Sequence, residues 1–181
     1  MAVWNPDKYI SAWNFASRAH LGQLVPGSPL PYIHHIANVA MEIMHTLAVD
    51  SSIRNPDLAV QCALLHDTLE DTETTYQALK EQFGDPVAAG VLALTKDNRL
   101  PSKEAQMADS LARIQEQPRE IWMVKLADRI TNLQPPPVHW RKPKILRYRE
   151  EAKRILECLG SASPHLAKRL AGKIKFYAAK V

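Results

Sequence analysis

The chain of 181 residues fits one domain of ordinary size, since most domains contain about 100 to 200 residues. Hydrophobic residues make up 46% of it and charged residues 23%, close to the globular average, which excludes a disordered tail protein and a coiled-coil rod. The net charge of +4 is unevenly spread, because residues 1–140 contain 11 basic and 16 acidic residues, whereas residues 141–181 contain 12 and 3.

The predicted elements are all helices. Asn5-Pro6, Asn55-Pro56 and Ser163-Pro164 each place a capping side chain before a proline that suits the first helical turn. Between these signals apolar residues recur every three or four positions, and sustained alternation typical of strands is absent from the sequence. We therefore predict an all-α fold, a single compact helical bundle over residues 1–181. In chain order the predicted helices lie near residues 6–21, 35–48, 56–71, 75–83, 85–95, 102–116, 118–133, 143–159 and 164–179.

Two proline-rich stretches interrupt the helices, at residues 22–34 and 134–143. Proline cannot continue a helix, so these stretches are expected to connect helices or to line a site. Gly84 and Gly160 are expected to mark helix ends.

The sequence also indicates the compartment in which the protein acts. No stretch approaches the roughly 20 apolar residues that span a bilayer, and the first residues lack the pattern of a signal peptide. Two cysteines, Cys62 and Cys158, are too few for a disulfide framework or a cysteine-rich zinc site. We expect a cytoplasmic protein with no membrane partner.

The basic segment 141–181 admits two interpretations. Helical tails rich in lysine and arginine are common as solvated faces, and no DNA-binding motif accompanies this one, so we expect no nucleic-acid partner. The alternative is that a few of these cations bind the phosphates of a small anionic substrate.

The most informative block is Ala63-Leu-Leu-His-Asp-Thr-Leu-Glu-Asp71. On one helix, its spacings of three and four would bring His66, Asp67, Glu70 and Asp71 onto adjoining faces. A His-Asp pair can offer a nitrogen and an oxygen to one divalent cation, and two further carboxylates can orient or deprotonate a water molecule. The competing interpretation is a histidine that caps the helix end beside solvated acids.

Two distant segments favour the metal site. Pro31-Tyr-Ile-His-His35 opens a helix with histidine, and Asp128 lies in an apolar helical segment. A buried carboxylate without a partner is costly, and a metal, or a partner such as Arg129, would relieve that cost.

Taken together, these residues resemble the HD superfamily of metal-dependent phosphohydrolases. The likeness is closest to the hydrolase domain of RelA/SpoT proteins and to the small alarmone hydrolases, which include the metazoan SpoT homologue. It is carried by the blocks at residues 31–35, 63–72, 83–84, 94–96 and 124–133, with weaker similarity over 148–152.

The resemblance implies a metal centre and an activity. His35, His66, Asp67 and Asp128 would be the metal ligands, and the metal of this group is characteristically Mn²⁺. The implied reaction is removal of the 3′-diphosphate from guanosine tetra- and pentaphosphate, a small-molecule nucleotide substrate. No segment is long enough for a synthetase domain, so we expect the chain to degrade such nucleotides without making them.

Further residues are implied to act beside the metal. Glu70 and Asp71 would position or activate the attacking water, and Asn132 matches a family residue near the nucleoside. Tyr148 and Lys144 fall where the small hydrolases have substrate contacts. For Lys96, contact with a phosphate and a solvated surface position both stay open.

The chain departs from the family pattern where that pattern recognises the base. Leu24 to Leu30 replace an arginine-lysine pair, and Gln134 and Pro135 replace a basic residue and a threonine. This predicts an alternative substrate class for the same metal chemistry, either adenosine 3′-pyrophosphates or the 2′-phosphate of NADPH. Two non-enzymatic alternatives are a nucleotide-binding module and a purely structural helical domain. The sequence does not determine the oligomeric state.

Overall fold

The computed structural model describes residues 3–137 and 139–177, and over them the fold is all-α, as predicted. It contains ten α-helices and one 3₁₀ turn, Gly160–Ala162. The helices are α1 (Pro6–Ala19), α2 (Ile33–Val49), α3 (Pro56–Leu65), α4 (Thr68–Asp71), α5 (Tyr76–Phe83), α6 (Asp85–Leu94), α7 (Lys103–Gln115), α8 (Arg119–Asn132), α9 (Lys142–Leu159) and α10 (Pro164–Tyr177).

The predicted capping signals start the helices where expected. The Asn5 side chain accepts hydrogen bonds from the backbone amides of Asp7 and Lys8, and Asn55 accepts from Leu58. Ser163 does the same for the amide of Leu166 at the start of α10. Each bond satisfies an amide that has no partner inside the helix, which explains why these helices begin at the residues after the caps.

Helix α3 lies at the centre of the bundle and positions the site. All of its residues except Asp57 are buried, and it packs against α1, α2, α6 and α8. A helix that is apolar all round is stable only when it is surrounded by other elements. The last turn of α3 therefore ends deep in the bundle, and the residues that follow it begin among the neighbouring helices.

One predicted helix, 56–71, is wrong as a continuous element. Helix α3 ends at Leu65, and α4 begins at Thr68. The Thr68 hydroxyl donates to the carbonyl of Leu65, and the His66 ring binds the carbonyl of Ala63, so side chains occupy acceptors at this helix end. His66 and Asp67 keep right-handed helical backbone angles, so the interruption is short.

The remaining boundaries agree within about two residues, the usual uncertainty of helix ends. Helix α5 ends at Gly84, whose φ of 87° is a conformation that glycine adopts without strain. Helix α9 ends before Gly160, as predicted. The last helix was predicted to reach residue 179, and residues 178 and 179 lie outside the described part of the chain.

The two proline-rich stretches lie against each other, and their described residues are irregular except at the ends, where residues 33–34 belong to α2 and residues 142–143 to α9. The first forms a short turn in which the amide of Val25 donates to the carbonyl of Leu30. A Cβ atom placed on Gly27 would lie 3.8 Å from the Cβ of Pro137, in ordinary van der Waals contact.

In the described part of the chain, none of the helices is both long enough and apolar enough to cross a membrane. Cys62 and Cys158 are free thiols, the first of them buried.

Candidate metal centre

Three helices bring together side chains that are distant in sequence. His35 lies in the first turn of α2, His66 follows the last residue of α3, and Asp128 lies in the middle of α8. One ligand atom from each lies within 4.8 Å of the others, and all three residues are buried. The Nε2 of His35 is 3.3 Å from the Nε2 of His66 and 3.5 Å from Oδ1 of Asp128.

Asp67, the fourth predicted ligand, adjoins this cluster. Its Oδ2 atom lies 2.9 Å from the Nε2 of His66 and 3.6 Å from the Nε2 of His35. The structure thus brings all four predicted metal ligands around one point. We call these four residues, His35, His66, Asp67 and Asp128, the His-Asp cluster.

The contact made by Nδ1 of each imidazole ring determines whether Nε2 can bind a metal ion. The Nδ1 of His66 lies 2.9 Å from the carbonyl oxygen of Ala63, which only accepts, so the ring carries its proton there. The Nδ1 of His35 faces the hydroxyl of Thr131, which already donates to the carbonyl of Asp128. In its neutral form with the proton on Nδ1, each ring would therefore present the lone pair of Nε2 beside the carboxylates, where a metal ion or a proton can bind.

The donor set fits a divalent metal ion. Two imidazole nitrogens and two carboxylate oxygens suit ions of the Mn²⁺ type. Among the protein's own cations, Lys125 contacts Asp128, with its Nζ 3.3 Å from Oδ2. The predicted alternative partner, Arg129, instead approaches Glu151 at 3.5 Å, so that prediction is wrong: on the helix Arg129 projects toward α9.

The pKa values show how strongly the cluster prefers positive charge. Burial lowers the pKa of His35, but the carboxylates of Asp128 and Asp67 outweigh it and raise the pKa to about 9. Burial also opposes protonation of His66, and Asp67 and Asp128 again raise the pKa above its ordinary value. Despite their burial, Asp67, beside His66, and Asp128, beside Lys125, have pKa values held well below the usual range. In the metal-free protein a proton supplies the charge that a metal ion would bring.

This predicts that metal affinity rises with pH. Because the pKa of His35 is about 9, its ring is protonated at neutral pH and must lose that proton when a metal binds. We expect the association constant for Mn²⁺ to increase about tenfold per pH unit between pH 6 and 8. Calorimetry in buffers of different ionisation enthalpy would measure the released protons. An affinity that stays constant over this range would contradict the prediction.

The predicted catalytic acids lie on α4, one turn beyond the cluster. Glu70 is held by one residue, since its Oε1 accepts from the Lys96 ammonium at 2.8 Å and its Oε2 from the Lys96 amide at 3.0 Å. Asp71 is exposed, and its carbonyl accepts from the Gln23 side chain at 3.0 Å. Partial burial and the nearby charges of Asp67 and Glu70 raise the pKa of Asp71. Lys96 thus holds the Glu70 carboxylate at both oxygens, whereas the pKa of the Asp71 carboxyl is raised.

The predicted substrate residues fall into two groups. Asn132 contacts the cluster, because its side-chain amide donates to Oδ1 of Asp128, and Lys96 binds Glu70 on α4. Lys144 and Tyr148 lie on α9, where the Lys144 ammonium is 4.0 Å from the centre of the Trp140 ring. The Tyr148 ring packs edge-on against Trp140 and covers the Arg129 guanidinium at 4.1 Å. We call Trp140 and Tyr148, with Lys144 over the Trp140 ring, the aromatic wall.

Sequence reasoning gave no role to Tyr32, although it belongs to a block that carries the family resemblance. Its hydroxyl donates to Oδ2 of Asp67 at 2.5 Å, and its ring contacts His20 and His35. Burial and the charge of Asp67 raise the pKa of Tyr32, so the hydroxyl keeps its proton. The tyrosine therefore orients a predicted metal ligand, a contact that only the folded chain reveals.

A Tyr32→Phe variant tests this contact. Loss of the hydroxyl removes one of the contacts that orient Asp67. Groups that orient metal ligands contribute about 10- to 100-fold to affinity, so we expect Mn²⁺ to bind about tenfold more weakly. Titration calorimetry would measure the change. Tyr76→Phe is the matched control, because the Tyr76 hydroxyl donates to Asp85, outside the cluster. Equal affinity in both variants would show that Tyr32 does not position Asp67.

Comparison with known proteins places the chain among nucleotide hydrolases. The HD domain family model matches residues 12–162. The chain is 32% identical over 164 residues to guanosine-3′,5′-bis(diphosphate) 3′-pyrophosphohydrolase MESH1 of Danio rerio, with 87% of each chain covered. It is 38% identical over 125 residues to a guanosine-3′,5′-bis(diphosphate) 3′-pyrophosphohydrolase of Aquifex aeolicus, covering 67% of this chain and 17% of that longer protein.

One solved structure has the same fold. It is described as a metazoan ortholog of SpoT that hydrolyzes ppGpp and plays a role in starvation responses. The two chains superpose with a TM-score of 0.80 over 96% of this chain and 97% of that one. At 24% sequence identity this likeness supports the all-α architecture alone.

Proposed function

The chain belongs to the HD domain family, and from this premise we propose that it hydrolyses guanosine 3′,5′-bis(diphosphate) to GDP and diphosphate. The observation that carries the proposal is the convergence of His35, His66 and Asp128, with Asp67 in contact with both histidines. Relatives that bear the name of this activity match the chain over most of its length.

We propose Mn²⁺ as the resident ion, held by the His-Asp cluster. A divalent ion supplies positive charge that polarises a phosphate oxygen and lowers the pKa of a water molecule. The two imidazoles and two carboxylates would hold the ion in a largely buried position, and Tyr32 and Thr131 would keep Asp67 and His35 oriented toward it.

Glu70 and Asp71 would transfer the proton of the attacking water. Water attacks the 3′-phosphorus, a bond forms between the water oxygen and phosphorus, and the bond from phosphorus to the ribose O3′ breaks. Glu70, fixed by Lys96, would orient the water and accept its proton. Asp71, with its raised pKa, would help relay the proton toward O3′. Diphosphate leaves the ribose, and GDP remains.

We assign substrate binding to both groups of predicted contacts. Asn132 and Lys96 would lie beside the ribose and the phosphates, because both contact residues of the catalytic centre. Lys144 and Tyr148 would bind from the aromatic wall, where the Lys144 cation would stabilise charge on the departing diphosphate. We also propose that residues 1–181 form one hydrolase domain that acts in the cytoplasm.

A second candidate substrate follows from the loop before α2. Its residues 21–30 include no lysine or arginine, and the side chains of Leu21, Leu24 and Leu30 are exposed. Cations that would contact guanine and phosphates in relatives of this type are therefore missing from this edge. This observation favours relaxed base recognition, with adenosine 3′-pyrophosphates or NADPH as further substrates.

The decisive experiment is turnover of guanosine 3′,5′-bis(diphosphate) by purified protein with Mn²⁺, with GDP and diphosphate both quantified. His35→Ala should lose activity, whereas His34→Ala, which changes the exposed neighbouring histidine, should retain it. Parallel assays with an adenosine 3′-pyrophosphate and NADPH test the second candidate. Turnover of none of these substrates by metal-loaded protein would overturn the proposed activity and favour a nucleotide-binding module.

A further inference from the structure

A cavity that the proposed hydrolysis does not use lies beside the C-terminal end of α8. It encloses about 970 Å³ between the loop after α8 and the second half of α10. Its apolar lining includes Leu133, Pro135, Pro136 and Phe176. None of the residues predicted to bind the metal, to catalyse or to contact substrate lines it. Gln134 and Pro135, which replace residues of the family's base-recognition pattern, do line it, and so does Tyr177, whose ring centre lies 5.9 Å from that of Tyr148. Its volume is at the upper end of the range for small-molecule sites.

The charged lining of this cavity is entirely basic. Lys168, Arg169 and Lys173 line it, and no aspartate or glutamate does. Arg169 is held in place by a two-pronged ion pair with Glu42 of α2. Among the described residues, neither Lys168 nor Lys173 is in an ion pair. Two uncompensated ammonium groups at a concave surface favour an anion.

A buried polar atom in the lining also lacks a partner. The Nε2 of His165 is shielded from solvent and forms no hydrogen bond within the described structure. Its ring packs against His45, with the ring centres 4.9 Å apart. Burial is the main cause that lowers the pKa of His165. The nearby charges of His45, Arg169 and Lys168 lower this pKa further.

The remaining lining suits a flat ring system. The side chain of Phe176 is 69% exposed although it borders the cavity, and the prolines offer an apolar surface opposite the helix. An added Cβ atom on Gly172 would meet nothing within 4 Å, so the helix leaves open space at this point. Aromatic side chains stack on nucleobases of any sequence.

We propose that this cavity binds a nucleoside phosphate at a second site, distinct from the hydrolytic centre. The phosphate would be bound by Lys168 and Lys173, and the base would lie against Phe176. This proposal goes beyond hydrolysis and does not depend on which nucleotide the His-Asp cluster cleaves. Leu133 directly follows Asn132, so a ligand here would lie next to the end of the helix that carries Asp128.

The test is calorimetric titration of metal-free protein with GDP, with ADP, guanosine and inorganic diphosphate as further probes. A His66→Ala protein removes the contribution of the metal cluster and should bind GDP as wild type does at the second site. The Lys168→Glu/Lys173→Glu variant should bind GDP at least tenfold more weakly. Lys80→Glu is the control, because Lys80 lies on α5 and does not line the cavity. Circular dichroism verifies that each variant is folded.

The outcomes separate this proposal from the proposed activity, since no step requires turnover. Weaker GDP binding in the lysine double variant and in Phe176→Ala supports the second site. Unchanged GDP binding in a folded double variant overturns it. Equal affinity for diphosphate and GDP, with no effect of Phe176→Ala, would leave a plain anion site and overturn the nucleotide assignment.

Discussion

An Asp128→Asn variant is expected to lose hydrolysis of guanosine 3′,5′-bis(diphosphate) by on the order of 10³-fold or more, together with its tightly bound metal. The substitution keeps the shape of the side chain and removes the charge that faces His35 and His66. Asp128 is only 8% exposed, so bulk water cannot replace the lost oxygen ligand freely. The measurements are kcat/KM with Mn²⁺ and metal content after dialysis.

The control for this variant is Asp109→Asn, which removes a carboxylate from a surface ion pair with Arg113 on α7. Surface pairs of this kind contribute about 0 to 1 kcal/mol, so this variant should retain both activity and metal. If Asp128→Asn retained wild-type metal content and rate, the His-Asp cluster would be a structural ion-pair network and the proposed metal centre would be wrong.

A Glu70→Gln variant should show a different pattern, in which the metal stays bound and the rate falls. Removing a general base typically costs about 10²- to 10⁴-fold in kcat, and we expect a loss in this range. The amide oxygen can keep one of the two hydrogen bonds from Lys96, whereas the amide nitrogen cannot accept the other, and the proton acceptor is gone. Steady-state kinetics with metal analysis would distinguish this pattern from that of Asp128→Asn.

Glu73→Gln serves as the matched control, since Glu73 lies just after α4 and is exposed. Its rate should equal that of the unmodified protein. Wild-type kcat in Glu70→Gln would show that Glu70 serves only to anchor Lys96, and proton transfer would then pass to Asp71 alone.

The two variants should differ because the two carboxylates have different partners. Asp128 faces the histidines of the cluster, whereas both oxygens of Glu70 accept from Lys96. His66 and Asp67 lie between α3 and α4, and Glu70 and Asp71 lie on α4.

Local chemistry made the helices predictable from sequence. The caps at Asn5, Asn55 and Ser163, and the apolar repeat within α2, act over a few residues, so their consequences do not depend on the rest of the chain. The all-α class followed from these signals. The break after Leu65 was missed because hydrogen bonds of Thr68 and His66 compete with a helix that the residue types alone favour.

The sequence by itself determined the helices and named the four residues of the His-Asp cluster through the motif that carries them. Tertiary structure alone decided their distances, the choice of Lys125 over Arg129 as partner of Asp128, the contact of Tyr32 with Asp67, and the second cavity beside α10. The physical reason is range: capping and periodicity are local, whereas these contacts join residues that only the packing of α2, α3, α8 and α10 brings together.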